Sequence, residues 1–267
     1  MMLKKYYCTI LTASLLLSAL TACGTQTEPT SIASTPTVSQ SIVSPPAGNS
    51  QVLVTDIEGN SRDLAQLPWA KKYPSMLKHY EGQTSENLTD FIFPTMAQEN
   101  LIAKGAAMDI PFRDGSLRVT MQEAVKGPEP SGISAEKVAQ GEQALGTLPE
   151  GEEYLTVTLS IENTGSSEAD FYLNNISIRC CVDGTVAQGH IGSEAVTSDL
   201  PAVAENAKNQ FEALLAPGEK ASYKILYYVN SEIELQDLYL YPNLAGEGVA
   251  EVTTADFALD QQWLALE

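Results

Sequence analysis

YLTVTLSIENTG, residues 154–165, is the stretch whose reading decides how this chain folds. Leu155, Val157, Leu159 and Ile161 alternate with Thr156, Thr158 and Ser160. A period of two puts the apolar row on one face of a strand and the hydroxyls on the other. Asn163-Thr164-Gly165 follows with turn chemistry, Gly165 being free to take a positive φ. The same logic extends outward. Around Phe171 to Val182 a second strand is expected, with Ile176, Ile178, Cys180 and Val182 on one face and Ser177, Arg179 and Cys181 on the other, closed by Asp183-Gly184. Pro217-Gly218 makes a turn before Tyr223, Ile225, Tyr227 and Val229, and residues 235–242 and 251–259 read as two further strands. Upstream, Met108, Ile110 and Phe112 precede Asp114-Gly115, and Leu117, Val119 and Met121 follow it, which is a hairpin. About seven strands separated by turn signals make a mainly β chain, an antiparallel β-sandwich.

Helical signals are fewer. Thr95-Met96-Ala97-Gln98 has the spacing of a capping box, followed by Leu101 and Ile102, with Gly105 as a stop. Ser134 to Leu145 has room for a short helix in the connection after the hairpin. Pro68 and Pro74 interrupt any helix in residues 51–94, while Trp69, Tyr73, Tyr80, Phe91 and Phe93 supply apolar mass there. Residues 51–104 therefore read as an N-terminal extension with short helices, packed on a sandwich of residues 105–267.

Three segments carry a resemblance. DGSLRVTMQEAVKG (114–127), YLTVTLSIENTGSSEADFYL (154–173) and LAPGEKASYKILYYV (215–229) stand in the order and spacing of the DUF4352 family, which resembles the MPT63 immunoglobulin-like antigens. The resemblance covers roughly residues 105–260 and implies a small immunoglobulin-like sandwich on an exported bacterial protein. It leaves 51–104 and the long loop at 184–216 unmatched. That family brings no catalytic residues to transfer and implies a surface-exposed binding or interaction module.

The N-terminus has its own pattern. Lys4 and Lys5 precede an uncharged apolar run from Ile10 to Leu20, too short for a bilayer, which needs about 20 apolar residues. Thr21 and Ala22 are small, and Cys23 follows. Positive, apolar, small is the order of a secretory signal peptide. Leu20-Thr21-Ala22-Cys23 resembles the lipobox of bacterial lipoproteins. The resemblance implies that residues 1–22 are removed and that Cys23 carries a lipid anchor to the cell membrane, on its extracytoplasmic face. Two acyl chains suffice for stable anchoring. From Gly24 to Ser50, 11 of 27 residues are Ser or Thr and 4 are Pro, with Glu28 the one charge. Such a segment cannot bury enough apolar surface to offset its ordering entropy, so residues 23–50 read as lipidated Cys23 plus a tether.

Charge and cysteine usage bound the function. The chain carries −19, and loss of Lys4 and Lys5 with the signal makes it −21. Nucleic acid and anionic lipid head groups are thereby poor partners. Beyond Cys8 and Cys23 there remains only the adjacent pair Cys180-Cys181, so stability must come from a core rather than a disulfide framework. In a strand these two point to opposite faces, with Cys180 inward. His190 with Cys181, Asp183 and Glu194 lacks metal-ligand spacing, and His79 is distant in sequence. No G-x-S-x-G or H-E-x-x-H is present. No cofactor or metal is expected; calcium on acidic loops is a weaker variant. Tyr227, Tyr228, Tyr239 and Tyr241 are dense late in the chain, and Tyr228, Tyr239 and Tyr241 are the candidate ligand-binding residues if two of them share an outward sheet face; the competing role is core and cross-strand packing. The expectation is a lipid-anchored binding module for an unidentified protein or envelope component, with no catalysis. The alternative is an envelope-bound enzyme or accessory subunit with a site between residues 51–104 and the sandwich.

Overall fold

The alternating row at 155–161 becomes the central strand of a five-stranded antiparallel sheet. The computed structural model describes residues 51–83, 87–201, 210–245 and 252–267. The signal and tether readings, Cys23 included, lie outside the described residues. In chain order the strands are β1 (Leu53–Thr55), β2 (Ser61–Asp63), β3 (Phe93–Met96), β4 (Leu101–Ile102), β5 (Ala107–Phe112), β6 (Gly115–Gly127), β7 (Glu152–Asn163) and β8 (Ala169–Tyr172). They continue with β9 (Ile176–Val182), β10 (Thr185–Val186), β11 (Gly192–Ser198), β12 (Glu212–Leu215), β13 (Lys220–Asn230), β14 (Leu238–Pro242), β15 (Asp256–Leu259) and β16 (Trp263–Ala265). The α-helices are α1 (Pro68–Lys72) and α2 (Ala135–Leu145).

The first sheet has the order β11-β13-β7-β6-β5. β7 pairs with β13 from Lys220↔Glu162 to Asn230↔Glu152 and with β6 from Leu117↔Asn163 to Gly127↔Tyr154. The β6 register shifts between Met121 and Glu123. The extra residue moves the inward positions from Leu117, Val119 and Met121 to Ala124, which is why Val125 is exposed. The second sheet has the order β15-β3-β10-β9-β14-β16-β4. Between the two sheets lies one apolar core, built from Leu155, Val157, Leu159 and Ile161 of β7, Tyr223 to Val229 of β13, Ile176, Ile178 and Cys180 of β9, and Leu238 and Leu240 of β14. The protein is a β-sandwich.

Three expectations from sequence are corrected. The capping-box spacing at 95–98 does not start a helix. Thr95 and Met96 end β3, residues 98–100 form a single 3-10 turn, and Leu101 enters β4. The residues are claimed by strand partners far away in sequence: Thr95 faces Thr185, and Phe93–Met96 run parallel to Asp256–Leu259. Residues 171–182 are not one strand, because a 3-10 turn at Leu173–Asn175 separates β8 from β9. β8 then pairs with β12 instead of with the second sheet. Pro68 and Pro74 start helical turns rather than interrupt them, each standing at a first helical position where a missing N–H costs nothing.

Residues 51–104 do more than rest on the sandwich. Trp69, Tyr73 and Met76 enter the main core, and β3 and β4 are strands of the second sheet. β3 is parallel to β15 and β4 to β16, with the Asn100 side-chain amide donating to the Leu259 carbonyl at 3.0 Å. This two-stranded ribbon joins β10 at one end and β14 at the other, the two neighbours of β9. It closes over the outer face of β9, where Met96, Cys181, Val186 and Trp263 form a second small core.

On the outer face of the first sheet α2 covers Tyr154, Val196, Leu226 and Tyr228 with Val138. Ser134 caps the helix by accepting from the Lys137 N–H. α2 lies so close to β11 that a Cβ on Gly141 would sit 2.4 Å from the Val196 carbonyl oxygen. In an open helix Gly→Ala stabilises by about 1 kcal/mol. Here Gly141→Ala is expected to lower the melting temperature, because the helix must lift off its sheet; a thermal melt showing an unchanged or raised midpoint contradicts that packing.

Candidate functional site

Specific polar contacts join residues 51–104 to the rest of the sandwich. Lys72 Nζ reaches Glu234 at 2.8 Å and Asp237 at 2.6 Å. The Tyr73 hydroxyl donates to Asp237 and accepts from the Glu234 N–H. Hydrogen bonds donated to Asp237 and Glu234 hold the Lys72 ammonium above its ordinary range, so it stays charged. On the opposite flank Arg62 bonds Asp56 through Nε at 2.8 Å and Asp256 through both terminal nitrogens, and stacks 4.4 Å from the Phe93 ring. Burial alone would push the Asp56 carboxyl up. The Asn60 N–H, the Arg62 guanidinium and the Glu58 N–H outweigh it and hold the group low. The β1–β2 hairpin is thereby tied to β15.

Two of the clefts among the described residues bear on this junction and the sheet edge. The larger, about 600 Å³, lies wholly within the 51–83 segment. Val52, Ala65, Ala70, Pro74 and Leu77 give it apolar walls, and Lys71, Lys78, Glu81 and Gln83 give it a polar rim. The two short helical turns that begin at Pro68 and Pro74 place Lys71 and Lys78 on the same opening. Both lysines are exposed, and among the described residues neither ammonium has an ion-pair partner. Sequence reasoning did not single them out. The available signal was the run Lys71, Lys72, Lys78, His79, a basic stretch in a chain of −19. The smaller cleft, about 360 Å³, runs between the β5 edge at Met108–Pro111, Tyr241–Asn243 and Asp260–Gln262. Neither histidine lines either cleft.

His190 meets Glu152 instead, Nε2 to Oε1 at 2.7 Å, with the Glu152 side chain 5% exposed and the His190 side chain 49%. The His190 backbone is fixed by its N–H to the Met76 carbonyl and by Asn230 Nδ2, which donates to the His190 carbonyl and also reaches Ser75 Oγ. Gly189 is required beside it, since a Cβ there would fall 2.6 Å from the Met76 carbonyl oxygen. Burial pushes the Glu152 carboxyl up; the His190 imidazole opposes this, and Glu194 adds to it. Among the described residues no set of three or more His, Cys, Asp and Glu side chains is placed to hold a metal ion.

Of the candidate tyrosines, the structure brings Tyr239 and Tyr241 together and sets Tyr228 apart. Tyr239 and Tyr241 share the outer face of β14 and flank Trp263, with ring centroids 6.4 and 6.3 Å away. Arg179 lies over the Tyr241 ring at 5.9 Å. Tyr228 lies under α2 on the other sheet, where its hydroxyl donates to the Gly146 carbonyl. Cys180 and Cys181 are free, buried and on opposite faces, Cys180 in the main core and Cys181 under the ribbon. Burial pushes the Cys181 thiol up to about 11, and raises Cys180 further. Burial thus favours the neutral thiol at both positions, which works against nucleophilic chemistry there.

No protein-family model matches the chain, and no curated protein does. Solved structures are similar to parts of it. The yjhA protein from Bacillus subtilis is 15% identical with a TM-score of 0.31, over 54% of this chain and 85% of its own. An uncharacterized beta-sandwich protein from Clostridium difficile 630 is 12% identical with a TM-score of 0.28, over 61% of this chain and 91% of its own. A functionally unknown protein from Listeria monocytogenes EGD-e is 12% identical with a TM-score of 0.28, over 51% of this chain and 71% of its own. Likeness of this order assigns no activity.

The Glu152 geometry makes a pH prediction. Its folded carboxyl holds a proton more tightly than the unfolded one, so its burial cost is absent below the unfolded carboxyl range and present at neutral pH. His190 is the group that offsets that cost. His190→Ala is expected to lower stability by about 1 kcal/mol at neutral pH, discounted for the half-exposed ring, and by much less near about pH 4. Urea unfolding at the two pH values measures this; an equal loss at both contradicts it.

Proposed function

We propose that the chain is a lipid-anchored, extracytoplasmic binding module of a bacterial cell envelope, with no catalysis of its own. The observation that carries the reading is the order along the N-terminus: Lys4 and Lys5, an apolar run, small residues, Cys23, then a charge-poor Ser/Thr/Pro segment. That order ends at a folded β-sandwich whose larger cleft is formed by the first residues after the tether. The tether's 27 residues, Gly24 to Ser50, give a reach of about 30 Å if they behave as a random coil, so a partner in or near the membrane is within range. The resemblance to the DUF4352 family is part of this proposal and supports it from three strand-and-turn segments.

The enzyme reading has one observation in its favour: the His190 imidazole meets the Glu152 carboxylate, and Asn230 Nδ2 links the His190 backbone carbonyl to Ser75 Oγ, where residues 51–104 join the sandwich. Against it, His190 Nε2 is already engaged by Glu152, and neither described cleft opens onto the pair. The binding-module reading is tested by cell fractionation. Wild-type protein is expected in the membrane fraction and open to protease added outside the cell, whereas Cys23→Ser is expected to be released or left as uncut precursor. Normal processing with unchanged membrane retention of Cys23→Ser would refute the anchor.

A further inference from the structure

We propose that the cleft at residues 51–83 binds a single-headed anionic amphiphile, a phosphate or carboxylate head on a short alkyl or acyl chain. The inference rests on the binding-module reading and names its ligand class. Its two halves come from the two kinds of wall. Lys71 and Lys78 stand on the rim, exposed and without an ion-pair partner among the described residues, and both keep three donors for an oxyanion. Glu81 is the one acidic side chain among the lining residues. Below the rim, Val52, Ala65, Ala70 and Leu77 form an apolar wall on which a chain can lie. Each methylene fully buried there multiplies affinity by about fourfold.

Charge decides the shape of the ligand. The chain as a whole carries −19, so a polyanion that spreads over the surface meets net repulsion. A nucleic acid or an acidic polymer is therefore disfavoured, while one compact anionic head escapes the repulsion. A neutral chain would leave both lysines unused, and a bare oxyanion would leave the apolar wall unused. The amphiphile satisfies both. Its head could belong to a membrane lipid or to a soluble metabolite, and the cleft chemistry is the same for either.

The test uses the full chain carrying Cys23→Ser, which cannot take lipid, and calorimetric titration with octyl phosphate below its micelle-forming concentration. Inorganic phosphate and octanol are the comparison arms, and vesicles containing an anionic lipid distinguish a membrane source from a soluble one. Saturable single-site binding of octyl phosphate is expected. The double substitution Lys71→Gln with Lys78→Gln should weaken it at least about tenfold, since charge-assisted hydrogen bonds are lost. Glu81→Gln should tighten it, which keeps the test readable should the double variant fold poorly. No saturable binding, unchanged affinity in the double variant, or phosphate or octanol binding as tightly as octyl phosphate each overturns the proposal. Such a failure leaves the anchor untouched, because fractionation of Cys23→Ser reads that separately.

Discussion

Everything in this molecule hangs on a strand that is paired on both edges and buried along one face. Leu155, Val157, Leu159 and Ile161 are fully buried, and eleven consecutive pairs join β7 to β13. Its other edge runs along β6 for nearly its whole length. The polar face is covered as well where α2 lies over it: Tyr154 and Thr156 are buried on the side opposite the leucines. A strand in that position has no slack. A slip of one residue would turn four aliphatic side chains away from the core and bring hydroxyls in. The second sheet, the ribbon that closes it and the N-terminal segment all assemble against the inner face this strand presents.

The N-terminal segment shows how a functional surface can be built on such a frame. Its anchors are buried apolar residues, Trp69, Tyr73 and Met76, backed by charged contacts at Asp237 and Asp256. The Lys72–Asp237 pair involves a carboxylate largely removed from water, which makes it position the segment more firmly than a surface ion pair does, whereas Arg62 is held inside the segment by buried Asp56 and reaches the sandwich through exposed Asp256. What remains on the outer side of the segment is a cleft whose Lys71 and Lys78 have no ion-pair partner among the described residues.

Local pattern made some of this legible and could not reach the rest. The alternation in β7 and β13, the Asp114-Gly115 hairpin and the helix behind Ser134 follow from periodicity and turn chemistry, and each lies within a short window of sequence. The opposite orientations of Cys180 and Cys181 follow from the strand period alone. The parallel ribbon does not, because β3 and β15 are joined by pairing across more than half the chain, and no local signal at Thr95–Gln98 distinguishes a strand end and turn from a helix cap. The face shared by Tyr239 and Tyr241 was readable from spacing; the Trp263 that packs between them comes from the far C-terminus. The lysine cleft was the least visible feature, because two prolines that look like breakers in fact start the turns that aim Lys71 and Lys78 at one opening.

The most direct test of the central claim is amide hydrogen exchange on the intact chain. If β7 is the strand on which the structure depends, its amides from Leu155 to Ile161 exchange only by global unfolding and are the slowest in the molecule together with their β13 partners, while those of residues 68–83 open earlier. Faster exchange in β7 than in the cleft segment would contradict the account.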